Sequence, residues 1–222
     1  MRSISKRALV ALVAVLALSA MAAATASAAL PEFSGSYVSG DTFGVKTGGI
    51  TITQEDNLTM TCSSGSGRGS ITGPKTLEAK LVLKGCENRV GQKFTSPGLL
   101  PGEIETRELK SVLAYTSKAN KEVGIVFNAA GGTFATFNAG SYKCEIAGGV
   151  IAPVTTLNKK YESFALELSM LGDHQAITQY ENEAGKMITQ IPYVSFGEGL
   201  YWGTMTGKVE LKSFESSIEV KA

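Results

Sequence analysis

Histidine is almost absent from this chain: its 222 residues include His174 alone, with one tryptophan, Trp202, and three cysteines. A single histidine excludes a two-histidine zinc site and the HExxH helix of a metalloprotease. A serine triad would have to use His174, and no G-x-S-x-G elbow accompanies it. Asp173 and His174 follow a glycine in "LGDHQ", the setting of a solvated turn. No cofactor is expected from these residues, and no catalytic or metal-ligating constellation is assembled.

Long apolar runs are also missing, except at the start. "MRSISKRALVALVAVLALSAMAAATASA" places Arg2, Lys6 and Arg7 before an almost unbroken apolar run from Ala8 to Ala24, followed by small residues. This is the tripartite layout of a secretory signal peptide, with cleavage expected after Ala28. An uncleaved membrane anchor is the alternative, since the run approaches the roughly 17 to 25 residues that span a bilayer. Its alanine-rich composition and the A-x-A site favour cleavage, leaving residues 29–222 as one extracytoplasmic domain with no membrane span, either secreted or held in the cell envelope. Removing three basic residues and no acidic ones shifts the formal charge from +1 to −2. Near-neutral charge without a basic block argues against nucleic acid as a partner.

The cysteines are Cys62, Cys86 and Cys144, an odd number for an exported chain. One bridge and one leftover thiol is the simplest arrangement. Cys62 and Cys86 flank a two-strand unit and are the expected pair; three buried free thiols are the alternative.

What remains is rich in alternation. "ITITQ" (50–54), "LTMTC" (58–62), "LEAKLVLKGC" (77–86), "EVGIVFN" (122–128), "TFATFN" (133–138), "SFALELSM" (163–170), "TMTGKVELKSF" (204–214) and "SSIEVKA" (216–222) place apolar side chains at every second position. That period is a pleated strand with one wet face. Turn chemistry punctuates them at "QEDN" (54–57), "SPGLLPG" (96–102), "AAGG" (129–132), "LGD" (171–173) and "ENEAG" (181–185). Residues 101–122 are ambiguous, with a strand expected in the first half and a short helix open for the second. The fold class expected is all-β, an antiparallel sandwich or barrel.

"CSSGSGRGSITGPKTLEAKLVLKGC" (62–86) invites comparison with a phosphate cradle. Such a cradle needs a lysine followed by Ser or Thr and a helix whose amides face the anion. Here Pro74 separates Gly73 from Lys75 and a strand follows, so a turn-rich strand connection is the reading. Glu103 and Glu105 would share one strand face and are the carboxylates that a glycan hydrolase could use, though a solvated face explains them equally well. "NLT" (57–59) satisfies the glycosylation pattern. The aromatic group "IPYVSFGEGLYWG" (191–203) contains Tyr193, Phe196, Tyr201 and Trp202. Exposed aromatics stack on sugars or anchor proteins, whereas buried ones fill cores. Tyr193, Tyr201 and Trp202 form the candidate binding surface.

"ALPEFS" (29–34), "GSITGPKT" (69–76), "LKGC" (83–86), "TSPGLLPGEIET" (95–106), "GGVIAPV" (148–154) and "IEVKA" (218–222) resemble a family of secreted proteins of unknown function found in multiple copies in soil actinobacteria. The resemblance covers most of the mature chain and implies no activity, so it carries over no functional residues. Members often carry a further cysteine where this chain has Phe94. The function expected is a binding or structural module of the envelope, not an enzyme; the alternative is a carboxylate-based hydrolase of envelope glycan. The sequence names no partner, and an envelope glycan or protein is the expectation.

Overall fold

The computed structural model describes residues 31–212 and 214–222, so the expected signal segment lies outside the described residues. Those residues are all-β, with no helix among them. The first strands are β1 (Glu32–Gly35), β2 (Thr42–Gln54), β3 (Thr59–Cys62), β4 (Ser64–Ile71), β5 (Thr76–Lys84), β6 (Phe94–Thr95) and β7 (Ile104–Glu105). Next come β8 (Leu109–Ser117), β9 (Glu122–Ala139), β10 (Tyr142–Val154), β11 (Lys160–Tyr161), β12 (Ser163–Leu168), β13 (Met170–Leu171) and β14 (His174–Gln175). The chain finishes with β15 (Gln179–Glu181), β16 (Met187–Thr189), β17 (Pro192–Ser195), β18 (Tyr201–Lys212) and β19 (Ile218–Lys221).

Eight strands close an antiparallel barrel in the order β8-β5-β4-β2-β18-β17-β10-β9, with β9 returning to β8. Closure leaves the ring no open edge. β12 adds to β18 beyond the short β17, pairing Ser163 with Lys212 through Leu168 with Gly207. β1, β19 and β11 form a separate small sheet whose Phe33, Ile218 and Val220 join the main core. Aromatic rings fill the core towards both ends of the barrel. Phe43, Phe164 and Phe214 meet towards one end; Phe94, Phe137 and Phe196 meet towards the other.

The glycine-rich segment is a barrel strand. Cys62 and Cys86 are joined, with sulfurs 2.12 Å apart, and the bridge ties the open end of the hairpin that pairs Ser64 with Lys84 and Ile71 with Leu77. On β4 the inward positions are Gly65, Gly67 and Gly69, opposite Leu83, Leu81 and Ala79 of β5 and Thr47, Val45 and Phe43 of β2. The absent side chains let the neighbours close over the strand. A Cβ on Gly69 would collide with the Phe43 ring and the Glu78 carbonyl, one on Gly65 would stand 2.6 Å from the Thr47 hydroxyl, and one on Gly67 2.8 Å from the Leu81 Cα while colliding with the Lys80 carbonyl. These glycines let β2 and β5 approach closely over β4 and form no phosphate cradle, since no helix follows.

Two other expectations change. "AAGG" is no turn: β9 runs through it as one 18-residue strand. The extra residues bulge opposite Gly148, with Gly131 and Gly132 at positive φ (79° and 83°), a conformation glycine adopts without steric cost. The helix left open for the second half of 101–122 is β8 and the turn after it. Its Leu109, Leu113 and Tyr115 face the barrel core, while Ala114 on the outside is covered too. Burial on both faces erased the alternation that marks a one-sided strand.

Candidate functional site

Between β12 and β17 the chain leaves the barrel and runs across its outer surface as two small hairpins, β13–β14 and β15–β16. Ile177 and Tyr180 of this excursion cover an outward apolar patch of Ala114, Val126 and Ile151. That burial holds the excursion against the wall.

Gln175 fixes the first hairpin more specifically. β18 is paired by β17 at Tyr201–Trp202 and by β12 from Gly207 onward, leaving a gap between them. The buried Gln175 side chain fills it. Its Nε2 donates to the carbonyls of Met205 (3.1 Å) and Ser169 (2.9 Å), and the Met205 amide donates to its Oε1 (2.9 Å). One carboxamide thus does locally what a neighbouring strand would do.

Gln175 sets its neighbours Asp173 and His174 beside the end of β18. A cleft of about 600 Å3 lies between the excursion and the outer wall formed by β2 and β18. One wall carries Trp202 and Thr204 from β18, with Thr53 and Glu55 from β2 and the turn after it; the opposite wall carries Asp173 and His174. Trp202 is 53% exposed. Its carbonyl accepts a 2.9 Å hydrogen bond from the Glu55 amide, which ties the two backbones together at the cleft wall. The His174 ring stands edge-on to the indole, centroids 6.4 Å apart at 70°. Such a volume falls within the roughly 300–1,000 Å3 of small-ligand sites.

The expected aromatic surface is only partly assembled. Trp202 lines the cleft, but Tyr201, its neighbour in an extended strand, points to the opposite face. Tyr201 pairs with the fully buried Val194 and emerges 44% exposed at the barrel rim. Tyr193 is the cross-strand partner of Trp202 and shares its face, yet its ring lies over Gly148, where a Cβ would be 3.1 Å away. Phe196 is partly buried and packs against the core, next to Phe94.

The carboxylates read from the sequence sit elsewhere. Glu103 pairs with Lys84 (3.3 Å) and Glu105 with Lys80 (2.9 Å), forming an ion-pair ladder with β5. The acids in the cleft are Glu55 and Asp173, which sequence reasoning did not bring together. No local motif marks them, because they are far apart in the chain and meet through the β2–β18 pairing and the Gln175 anchor. Cys144 is free and buried, and burial pushes its thiol pKa up. Among the described residues no three His, Cys, Asp or Glu side chains converge to hold a metal ion.

A second depression, about 320 Å3, lies at the same end of the barrel beside exposed Leu58, Val90 and Tyr142. Inside the barrel only about 60 Å3 is open, lined entirely by buried strands and apolar in character. That is far below small-ligand size, so the barrel works as a packed scaffold that presents an external site. Compared with known proteins, the chain matches no protein-family model, no curated protein and no solved structure.

Proposed function

We propose that the chain is an exported binding module of the cell envelope that holds a segment of glycan in the cleft beside Trp202. One observation carries the reading: the sole tryptophan is half exposed on the wall of a cleft whose lining sets hydroxyl, amide and carboxylate side chains beside the apolar Met170 and Ile191. An exposed indole offers a flat apolar face to the C–H face of a pyranose, and the polar rim offers partners to its hydroxyls. Little reorganisation is required, because Trp202 is fixed through its backbone by Glu55 and the facing hairpin by Gln175. Export is supported by the N-terminal signal pattern and by the Cys62–Cys86 bridge, which suits an oxidising compartment.

The test uses Trp202 as its own reporter. Soluble envelope-glycan fragments are titrated into the protein while indole emission is followed, with binding by the Trp202→Ala variant measured calorimetrically. Saturable quenching or a blue shift in the parent, with binding lost in the variant, is the expected result. No spectral change with any fragment, or release of cleaved products during incubation, refutes the binding-module reading.

A further inference from the structure

The charge in the cleft narrows the ligand class; this step rests on the glycan-binding reading. Its lining includes two carboxylates, Glu55 and Asp173, and no lysine or arginine. Neither acid has a cationic ion-pair partner among the described residues, whereas Glu103 and Glu105 on the barrel wall each have a lysine. Both acids line the same cleft as the exposed indole: the Glu55 backbone amide donates to the Trp202 carbonyl, and Asp173 precedes the histidine that stands edge-on to the ring. Deeper in the cleft, Thr204 is 4% exposed and its side chain makes no hydrogen bond among the described residues. It lies two positions from Trp202 on the same strand and therefore on the same face.

An exposed aromatic face in a cleft whose carboxylates have no basic partner is the chemistry that recognises an ammonium group. We infer that the cleft takes a glycan bearing a free, protonated amine, such as a de-N-acetylated amino sugar, in preference to its N-acetylated or neutral counterpart. The ammonium lies over or beside the Trp202 ring and donates to Glu55 and Asp173. The Thr204 hydroxyl is left to pair with a ring or exocyclic oxygen. Cationic peptide is the other polymer with such charges, but the Thr53, Thr178, Thr189 and Thr204 lining supplies hydroxyl partners in the number a sugar uses.

Glucosamine oligosaccharides and their fully N-acetylated equivalents of equal length are compared by calorimetry and by Trp202 emission, at low and high salt. The parent, Glu55→Gln, Asp173→Asn and Trp202→Ala proteins are used; both acids are exposed, so neither charge removal disturbs the core. The amine-bearing oligomer is expected to bind at least roughly tenfold more tightly than the acetylated one, with most of that preference lost in each acid variant. The preference also weakens in high salt. Equal binding of the two oligomers, or a preference untouched by both acid variants, overturns the cation inference and leaves the glycan-binding reading in place. Binding of oligolysine but of neither oligomer overturns the glycan identity while keeping the cation site. Absence of all binding overturns the inference, and the broader reading is then decided by the unfractionated envelope fragments.

Discussion

Replacing Gly67 by alanine pits local propensity against the close approach of β5. Alanine restricts the unfolded chain more than glycine does, so at an unstrained strand position the change stabilises by about 0.4–1 kcal/mol. At Gly67 the new Cβ meets main chain on both counts, colliding with the Lys80 carbonyl and approaching the Leu81 Cα to 2.8 Å. No flexible side-chain end can swing away. Relief requires β4 and β5 to part, which combines overpacking strain of about 1–3 kcal/mol with loss of ladder hydrogen bonds worth about 1 kcal/mol each. A net destabilisation of about 3 kcal/mol follows, which lowers the melting temperature by about 6–12 °C in a domain of this size. Gly48 of β2 is the control, since a Cβ there meets nothing within 4 Å. Urea unfolding of oxidised parent, Gly67→Ala and Gly48→Ala proteins gives the free energies directly. If Gly67→Ala matches or exceeds the parent in stability, the close approach of β2 and β5 over the glycine face is wrong.

Three other perturbations probe the remaining devices. Gln175→Ala strips the Met205 amide and carbonyl of their partners, so differential scanning calorimetry should find a loss of about 2–4 kcal/mol, and hydrogen exchange should find the Met205 amide newly exposed. Gln175→Glu retains only an acceptor and should lose nearly as much. Removing the bridge with paired Cys62→Ala and Cys86→Ala substitutions should cost about 3 kcal/mol in denaturant titration, the chain-entropy value for a loop of this length. An unchanged midpoint would count against it. At Cys144, burial raises the thiol pKa and a backbone hydrogen bond from Ala139 opposes this in smaller part, so the folded state holds the proton more tightly than the unfolded chain. Stability from this group is fully present below the ordinary thiol value of about 8.5 and falls as pH rises past it. Urea midpoints measured across that range should drop in the parent and stay flatter in Cys144→Ala.

The legibility of this fold in its sequence depended on which faces were wet. Residues 77–84, 163–168 and 204–212 alternate visibly because one side of each packs inside the barrel and the other meets solvent. β10 was missed: Ile151, Val150 and Ala152 are all buried, inside the barrel or beneath the excursion, which leaves no period to read. β4 was legible only as the unplaced half of the two-strand unit between Cys62 and Cys86, for the opposite reason: its inward residues are glycines and carry no hydrophobic signal. Its place is determined by what Phe43, Val45, Leu81 and Leu83 do over it. Trp202 could be singled out because a lone tryptophan amid turn residues is conspicuous. Its partners Glu55, Asp173 and His174 could not, because their meeting depends on long-range strand pairing and on one buried amide.

The neighbours β2 and β18 are the first and last strands of the barrel, and that adjacency sets an order of events during folding. The ring closes only when the chain has been made as far as Lys212, because no earlier strand supplies the other side of β2. Contacts of such wide sequence separation form slowly, on the millisecond-to-second scale typical of barrels with mostly non-local pairing. Until then the "ITIT" edge of β2 and the outer edge of β17 are open templates for pairing with other chains. A chain cut short of β18 therefore becomes an open, association-prone sheet and not a smaller version of the protein.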